Sequence, residues 1–384
     1  AVGFSAAICN TTGQQNVAVG YYTLDANTTG ACNISIGSNL GNNTTGSGNV
    51  ALGSGALGNN TTCDNNVAVG TSAAQESNGA VSITAIGACA LCRNTTGDQN
   101  TAVGTNAMLN NVQCSGNVAV GDNAMCANTS LPTGGLNTAV GSLALRCLTS
   151  GDENVMVGYF AGLKNSTGTS NTFVGSCAGY LTTTGGANVA LGRKSLQANT
   201  TGASNTALGQ QALFNNTTAS DNTAVGREAM YLNTTGTENV AVGHDALYSN
   251  TTASENTAVG IRALVCNTTG AGNTAVGKNA LLDVTTSNNN TAVGVETLQN
   301  VTTGTGSNVG VGRSAGNDLT VGCCNTIIGF QAGLGITTGD HNIMIGSCSC
   351  GGTANAGNQS VIGFKVQGAD NTITFGNTAT DSRI

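Results

Sequence analysis

The chain has 384 residues, a formal net charge of −7 and 57 glycines. Charged residues make up 8% and aromatic residues 3%, and there is no tryptophan, so a conventional core of large side chains is excluded. The acidic balance argues against nucleic acid or an anionic membrane as a partner. The sequence has no run of about 18 apolar residues, so it predicts no transmembrane helix.

A short block that ends in glycine recurs along the whole chain. It occurs 23 times between Gly3 and Gly376, and nearly every gap is 17 residues. The gap differs only before Gly53, Gly141, Gly312 and Gly376. Such a period predicts one repeat array over residues 1–376, with 377–384 as a C-terminal tail, rather than several globular domains.

The common repeat is N-[TV]-A-V-G-x-x-A-L-x-x-N-T-T-G-x-x, with positions counted from its first asparagine. Residues 256–272 are one copy. The residues at positions 1–4 favour a short strand, with side chains on alternate faces. The glycine at position 5 ends this strand, and Asn-Thr-Thr-Gly is typical of a turn. The Ala-Leu pair at positions 8 and 9 predicts a second short strand. Because the unit is too short for two helices, we predict an all-β parallel solenoid of about 22 coils, spaced about 4.8 Å apart.

Positions 2 and 4 are predicted to fill the coil, and the alanine at position 3 to face outward. An outward alanine column would form a flat apolar stripe, on which three chains could pack as a homotrimer. In the alternative arrangement the alanines lie inside and the valines outside. Met156 and Phe173 interrupt the alanine column. These larger residues are interpreted either as plugs on the axis of a trimer or as local filling of the core. The candidate interface residues are Ala207, Ala224, Ala241, Ala258, Ala275, Met156 and Phe173.

The blocks at residues 66–70 and 239–243, both Asn-Val-Ala-Val-Gly, resemble the head repeats of trimeric autotransporter adhesins. The longer string at 256–277 is similar to repeats of phage and large-virus tail-fibre proteins. The resemblance spans nearly the entire chain. It implies a left-handed parallel β-roll, three chains side by side and a binding role at a surface. The unit here is longer than in the adhesin heads, with the extra residues expected in the turn.

Fourteen cysteines occupy scattered repeat positions. Neighbouring coils can bring equivalent positions within disulfide range, although free thiols and pairing between protomers are alternatives. Disulfides would place the chain outside a reducing cytosol. The disulfide candidates are Cys126, Cys147, Cys323, Cys324, Cys348 and Cys350.

Two other columns raise the question of ligands. Asparagines at position 12 form sequons, for which turn geometry is the preferred explanation and sparse glycosylation the alternative. The glycosylation candidates are Asn199, Asn216, Asn233, Asn250 and Asn267. Three acids share position 17 on successive coils, Asp221, Glu238 and Glu255, and they are either screened by solvent or hold a cation such as Ca²⁺.

Catalytic motifs are not supported by this pattern. Residues 312–316 match G-x-S-x-G, but they are positions 5–9 of an ordinary coil, and the mechanism requires an elbow, a histidine and an acid. The two histidines, His244 and His341, lie nearly six coils apart. We therefore expect no enzyme and no resident cofactor.

The leading hypothesis is a structural and adhesive trimeric fibre, displayed on a virion or cell surface, that binds a receptor or glycan. One alternative is an extracellular filament or capsid decoration without a receptor. Another is an ice-binding solenoid, although the adjacent turn threonines Thr268 and Thr269 are not expected to form a flat array.

Overall fold

The computed structural model describes residues 1–126, 134–377 and 382–383. These residues form an all-β parallel solenoid of about 21 turns with a repeat of about 17 residues, and they contain no α-helix. The predicted fold class is therefore confirmed. The chain divides into two compact units, Ala1–Asn188 and Val189–Ile384, here called the N-terminal unit and the C-terminal unit.

Each coil of the N-terminal unit contributes one strand of three residues to a parallel sheet, and successive strands pair in register at intervals of one repeat. The strands are β1 (Val17–Val19), β2 (Ile34–Ile36), β3 (Val50–Leu52), β4 (Val67–Val69), β5 (Thr84–Ile86), β6 (Thr101–Val103), β7 (Val118–Val120), β8 (Thr138–Val140), β9 (Val155–Val157) and β10 (Thr172–Val174).

The C-terminal unit has the same parallel arrangement up to its last strand, which pairs antiparallel with the strand before it. Residues 382–383 of the predicted tail thus pair with residues 374–375. The strands are β11 (Val189–Leu191), β12 (Thr206–Leu208), β13 (Thr223–Val225), β14 (Val240–Val242), β15 (Thr257–Val259), β16 (Thr274–Val276), β17 (Thr291–Val293), β18 (Val309–Val311), β19 (Thr326–Ile328), β20 (Ile343–Ile345), β21 (Ser360–Phe364), β22 (Ile373–Asn377) and β23 (Ser382–Arg383).

The middle residue of each strand points into the coil. In β15, Ala258 is fully buried, whereas Thr257 and Val259 on either side are partly exposed. Successive side chains of a strand point to opposite faces, so a three-residue strand can bury either its middle residue or its two outer ones. The expectation that the alanine column faces outward is wrong, and the alternative with alanines inside is correct. All seven candidate interface residues are 0% exposed within the chain: Ala207, Ala224, Ala241, Ala258, Ala275, Met156 and Phe173.

The coil interior is thin, and in several coils a larger residue at position 3 is matched by glycine at position 9. Most coils place alanine at position 3 and a buried leucine at position 9, as in Ala258 and Leu264. Where position 3 is enlarged to Phe173, position 9 is Gly179, and a Cβ atom there would lie 2.2 Å from the Phe173 ring. Close packing of protein interiors explains this exchange of volume. Phe173 is therefore local core filling and not a plug on an axis between chains.

The same exchange recurs elsewhere in the array. Met156 is accompanied by Gly162, where a Cβ atom would lie 2.6 Å from the methionine sulfur. Ile327 is accompanied by Gly333, with a Cβ atom 3.0 Å from its Cγ2. Position 9 therefore adjusts to position 3, which requires both side chains to share one interior.

The predicted second strand at the Ala-Leu pair does not form, because the backbone there is left-handed. Leu264 has φ of 51° and Arg262 has φ of 57°. A left-handed residue costs roughly 1–2 kcal/mol, which burial of a leucine side chain, worth about 2 kcal/mol, offsets. The Leu264 N–H also donates to Ala280 O at 3.1 Å on the next coil. The segment therefore pairs between coils without being extended.

Glycine is required at position 5, where the chain leaves each strand. Gly243 has φ of 140°, and a Cβ atom there would lie 2.5 Å from Gly260 O on the next coil. Gly260 in turn has φ of 135°, with a Cβ atom 2.6 Å from Gly277 O. Neither the backbone angle nor the space admits another residue.

Asparagines at position 1 form a buried ladder along each unit. Asn239 is fully buried, and its Nδ2 donates to Asn222 Oδ1 at 3.1 Å and to Ala253 O at 2.8 Å. Its own Oδ1 accepts from the backbone N–H and from Nδ2 of Asn256, at 3.0 and 3.2 Å. Each side chain therefore joins its own coil to both neighbours, and buried amides are satisfied as they must be.

A second buried ladder runs along position 12, and it is less regular. Asn250 Nδ2 donates to Asn233 Oδ1 at 2.8 Å and to Ala253 O at 3.0 Å. Apolar residues replace this asparagine in some coils, among them Val284, and there the neighbouring Asn267 Oδ1 is left buried without a hydrogen-bond partner. The coil therefore tolerates loss of this ladder at the cost of single unsatisfied acceptors.

We predict that Gly243→Ala destabilises its coils by about 4 kcal/mol, because it adds both backbone strain and a clash with a carbonyl oxygen. The matched control is Gly272→Ala at position 17, where φ is 68° and the equivalent Asn289 adopts a similar angle. That change should cost only about 1 kcal/mol. Amide hydrogen exchange around each site measures the local opening free energy. Equal losses for the two variants would contradict the requirement at position 5.

We also predict that Asn239→Leu is more destabilising than Asn250→Leu. Asn239→Leu removes the four hydrogen bonds of the Asn239 side chain, to groups of its own coil and of the neighbouring coils. This loss should cost roughly 3 kcal/mol. The second introduces an apolar residue of a kind the chain already places at position 12, and should cost about 1 kcal/mol. Thermal unfolding followed by circular dichroism compares the stabilities of the two variants. A lower stability for Asn250→Leu would mean that position 12 carries the essential ladder.

Candidate functional site

The outer face of each sheet is the most extensive candidate surface. It is formed by positions 2 and 4, where threonine, valine, isoleucine and leucine are partly exposed. In β14 both Val240 and Val242 are 36% exposed. Towards the end of the C-terminal unit the face carries a larger group, with Phe375 at 43% exposure. A contiguous apolar face of this kind is uncommon on a protein without a partner.

Position 4 makes the continuous part of this face, because it is apolar in every described strand from β1 to β22. Position 2 alternates between threonine and apolar residues, and threonine occupies it in β12, β13, β15, β16 and β17. Corresponding residues pair in register, as Thr257 does with Thr274 and Val259 with Val276. The rows therefore run straight along the sheet within each unit.

Aromatic rings that the repeat pattern did not predict form a stack in the C-terminal unit. Phe214 and Tyr231 have ring centroids 5.0 Å apart and Tyr231 and Tyr248 5.2 Å apart, with interplanar angles of 6° and 5°. All three occupy position 10 on successive coils, so the spacing of the coils imposes the parallel stacking. Burial, followed by the nearby Glu228 carboxylate, raises the pKa of Tyr248. Recurrence of an aromatic residue every 17 positions was the available signal.

Charged side chains next to the stack pair with one another. Arg227 Nη1 lies 3.7 Å from Glu228 Oε1, and His244 Nδ1 lies 3.2 Å from Asp245 Oδ2. Arg227 also hydrogen-bonds to Nε2 of His244 on the next coil. These contacts join positions 6 and 7 within one coil and position 6 of adjacent coils, at a surface where such pairs contribute little stability.

The acidic column at position 17 lies on the surface of the coil. Asp221, Glu238 and Glu255 are all exposed, and their backbone is left-handed, with φ between 58° and 62°. Among the described residues, no group of three or more His, Cys, Asp or Glu side chains is arranged to hold a metal ion. Screening by solvent is the alternative that fits this arrangement.

The sequon asparagines lie inside the coil. Asn199, Asn216, Asn233, Asn250 and Asn267 are all 0% exposed. The Nδ2 atom of each donates to a backbone carbonyl three residues ahead, at 2.9–3.0 Å. The folded coil therefore leaves no room for a glycan on these five nitrogens, and the second ladder explains why asparagine recurs there.

None of the fourteen cysteines, all within the described part of the chain, is in a disulfide. Cys126 lies at position 10 and Cys147 at position 11, and burial raises the pKa of the Cys126 thiol. Cys323 and Cys324 occupy positions 16 and 17, whereas the other two candidates, Cys348 and Cys350, follow the strand β20 at positions 7 and 9. The candidate cysteines on different coils therefore occupy different repeat positions.

The two histidines and the G-x-S-x-G serine are also separated by the fold. Ser314 is nearly buried at position 7, with its N–H donating to Val295 O at 2.9 Å. His244 pairs with Asp245, and His341 lies at position 17 with its N–H on Cys323 O. These contacts are those of ordinary coil positions. Within the described residues, no helix is long and apolar enough to cross a membrane.

We predict that thiol reactivity follows burial along the array. Burial, and secondarily the Asp152 charge, raises the pKa of Cys114 to about 11, so at pH 8 only about one molecule in a thousand carries the reactive thiolate. Iodoacetamide should label exposed Cys9, Cys32 and Cys324 at least ten times faster, as measured by peptide mass mapping. Between pH 8 and 10 the Cys114 rate should rise about tenfold per pH unit. Equal labelling of Cys114 and Cys324 in the folded chain would contradict the burial of position 15.

No protein-family model matches this chain, and a search among curated proteins finds no match.

Proposed function

We propose that this protein is a structural and adhesive fibre, in which copies of the solenoid assemble as a homotrimer through the outer face of the sheet. The observation that carries the proposal is the continuous row of exposed apolar side chains at position 4, beside the partly apolar row at position 2. This face replaces the alanine stripe as the contact between chains. Its residues lie outside the coil, so they are available to a partner without any unfolding.

The size of this face supports a stable contact. Taking about 4.8 Å between strands and about 10 Å for three extended residues, the ten strands β1–β10 present roughly 430 Å² and the twelve strands β11–β22 roughly 530 Å² of projected area. Stable interfaces bury about 800 Å² per partner. The face of each unit therefore supplies more than half of that area by itself.

The composition of the face also fits contact with an identical chain. It consists of short, β-branched side chains, which lose little rotamer freedom when they pack. It carries no charged residue in β1–β20, so burying it would leave no unpaired charge. Copies of a regular array also raise the effective concentration of any binding site they carry. We propose display of this assembly at a virion or cell surface, where multivalent contact with a receptor or glycan would be useful.

Two other functions use the same surface. An extracellular filament or capsid decoration would assemble in the same way but bind no receptor. Ice binding is favoured by one observation, because threonine at position 2 and valine at position 4 both face outward in straight rows along β15–β17. In that case the face would remain free of other chains. Thermal hysteresis produced by a monomer would distinguish ice binding from assembly through this face.

We predict that the purified chain sediments with three times its monomer mass of 37.7 kDa. Val242→Lys combined with Val276→Lys should shift the mass to that of the monomer, because two charges would be desolvated on the buried face. The matched control is Ile261→Lys, which replaces an apolar residue that is 50% exposed at position 6, outside the face. Circular dichroism should show that all variants keep the fold.

The alternatives give different results in this experiment. A wild-type monomer would overturn assembly through the outer face. A stable dimer would retain the face as an interface but overturn the trimer. Dissociation by Ile261→Lys to the same extent as by the double variant would place the contact elsewhere on the coil.

A further inference from the structure

An open polar groove crosses several coils of the N-terminal unit, away from the outer face of the sheet. Its volume is about 660 Å³, within the range of ligand-binding clefts. One side is formed by position 11 and the other by position 13. The lining residues are Ala26, Asn42, Thr44, Asn59, Thr61, Glu76, Asn78 and Thr95.

The groove arises where the sequence departs from the repeat. Gly58 occupies position 10, and Gly41 holds the equivalent place in the preceding coil, which is one residue shorter. The C-terminal unit has the rings of the aromatic stack at this position. On the next coil, residues 77–79 read Ser-Asn-Gly in place of the usual Asn-Thr-Thr, which leaves Gly79 without a side chain beside Thr96. A Cβ atom at Gly79 would also lie 3.4 Å from the carbonyl oxygen of Thr95, which lines the groove, so the missing side chain leaves this end of the groove open.

Several polar groups in the groove retain unused hydrogen-bonding capacity. Asn42 Nδ2 donates to Gly58 O at 2.8 Å, and Thr61 Oγ1 donates to Asn78 Oδ1 at 2.6 Å. These bonds fix the side chains of the two rows. Within the described residues, the Nδ2 groups of Asn59 and Asn78 and the carboxylate of Glu76 have no hydrogen-bond partner. The groove thus presents two amide donors and one carboxylate acceptor that are held on neighbouring coils.

The chemistry of the lining selects among ligand classes. Only one of the eight side chains is charged, and it is acidic, so phosphate, sulfate and sialic acid would be repelled. Only Ala26 is apolar, and no aromatic ring is present, so an apolar peptide has nothing to bury. Amide donors next to a carboxylate that can accept from two adjacent hydroxyls suit a neutral, polyhydroxylated molecule.

From this arrangement we infer that the groove between positions 11 and 13 of the N-terminal unit is a binding site for a neutral oligosaccharide. Asn59 and Asn78 donate to hydroxyl oxygens of the ligand, and Glu76 accepts from its hydroxyl groups. This inference rests on the proposed role in attachment and names the class of ligand. It uses a surface other than the one proposed for assembly, so the two can fail independently.

The full chain should be titrated by calorimetry with neutral hexasaccharides, namely those of glucose in α-1,4 and β-1,4 linkage, mannose, xylose and N-acetylglucosamine. A heparin hexasaccharide and sialyllactose serve as anionic probes. We expect at least one neutral probe to bind and neither anionic probe to do so. Asn59→Ala, Asn78→Ala and Glu76→Gln should each weaken that binding by about 3- to 10-fold, as expected for loss of one hydrogen bond.

Matched controls come from the same repeat position in the C-terminal unit. Asn215→Ala and Asp283→Asn change an amide and an acid at position 11 without touching the groove, and they should leave the affinity unchanged. Failure of every neutral probe, preference for an anionic probe, or equal losses in groove and control variants would overturn the inference. Undiminished binding to cells whose glycans have been oxidised with periodate would indicate a protein receptor, and would also overturn it.

The outcomes for the two proposals can be separated. If the protein is a trimer that binds none of the sugars, the proposed binding site is wrong and the proposed fibre is retained. If the protein is a monomer that binds a neutral hexasaccharide through Asn59 and Glu76, the proposed binding site is retained and the trimeric fibre is wrong. Circular dichroism should show an unchanged fold for all five variants, because the altered side chains lie on the surface.

Discussion

Two buried asparagines donate to one backbone carbonyl in many of the coils, and the rest of the structure depends on this junction. Nδ2 of Asn239 and Nδ2 of Asn250 both reach Ala253 O, at 2.8 and 3.0 Å. The first begins the coil and the second begins its last turn, so the shared acceptor ties the two ends together. Both side chains also bond to equivalent residues of adjacent coils, and the position 1 ladder continues across the coils of 16, 18 and 20 residues. Extra or missing residues are therefore accommodated elsewhere in the coil, while the junction is kept.

The interior that these asparagines enclose is too thin for large side chains on both sides. Leucine at position 9 fills it when position 3 is alanine, and glycine replaces leucine where position 3 is Phe173. The β-branched residues on either side of position 3 consequently have no room inside. The apolar outer face is therefore a direct result of how the core is packed, and a chain built in this way must either tolerate that face in water or cover it with a partner.

Much of the fold could be predicted from the sequence, because the period, the turn glycines and the short strand are all properties of a single repeat. The direction in which the strand faces could not be predicted from Thr257, Ala258 and Val259 alone, since both of its faces are apolar or small. The pairing of Met156 with Gly162 and of Phe173 with Gly179 held that information, as a change of volume between positions 3 and 9. The left-handed Leu264 was missed because a leucine adopts that conformation only when burial and pairing between coils compensate for its cost. The two asparagine ladders were missed because turn propensity offered a sufficient local reason for asparagine.

The junction and the core leave few positions free to vary, and the candidate binding features occupy those positions. Positions 1, 3, 5, 9 and 12 are fixed or adjusted by packing, so a substitution there changes stability before it changes recognition. Positions 10 and 11 include partly exposed residues before the last turn, where Asn59 and Glu76 line the groove and Tyr231 belongs to the aromatic stack. A repeat that stacks at a fixed spacing also places any side chain introduced at these positions in line with its neighbours on adjacent coils. The scaffold can thus acquire a new binding surface through two or three substitutions on successive coils, without any change to the interactions that hold the coils together.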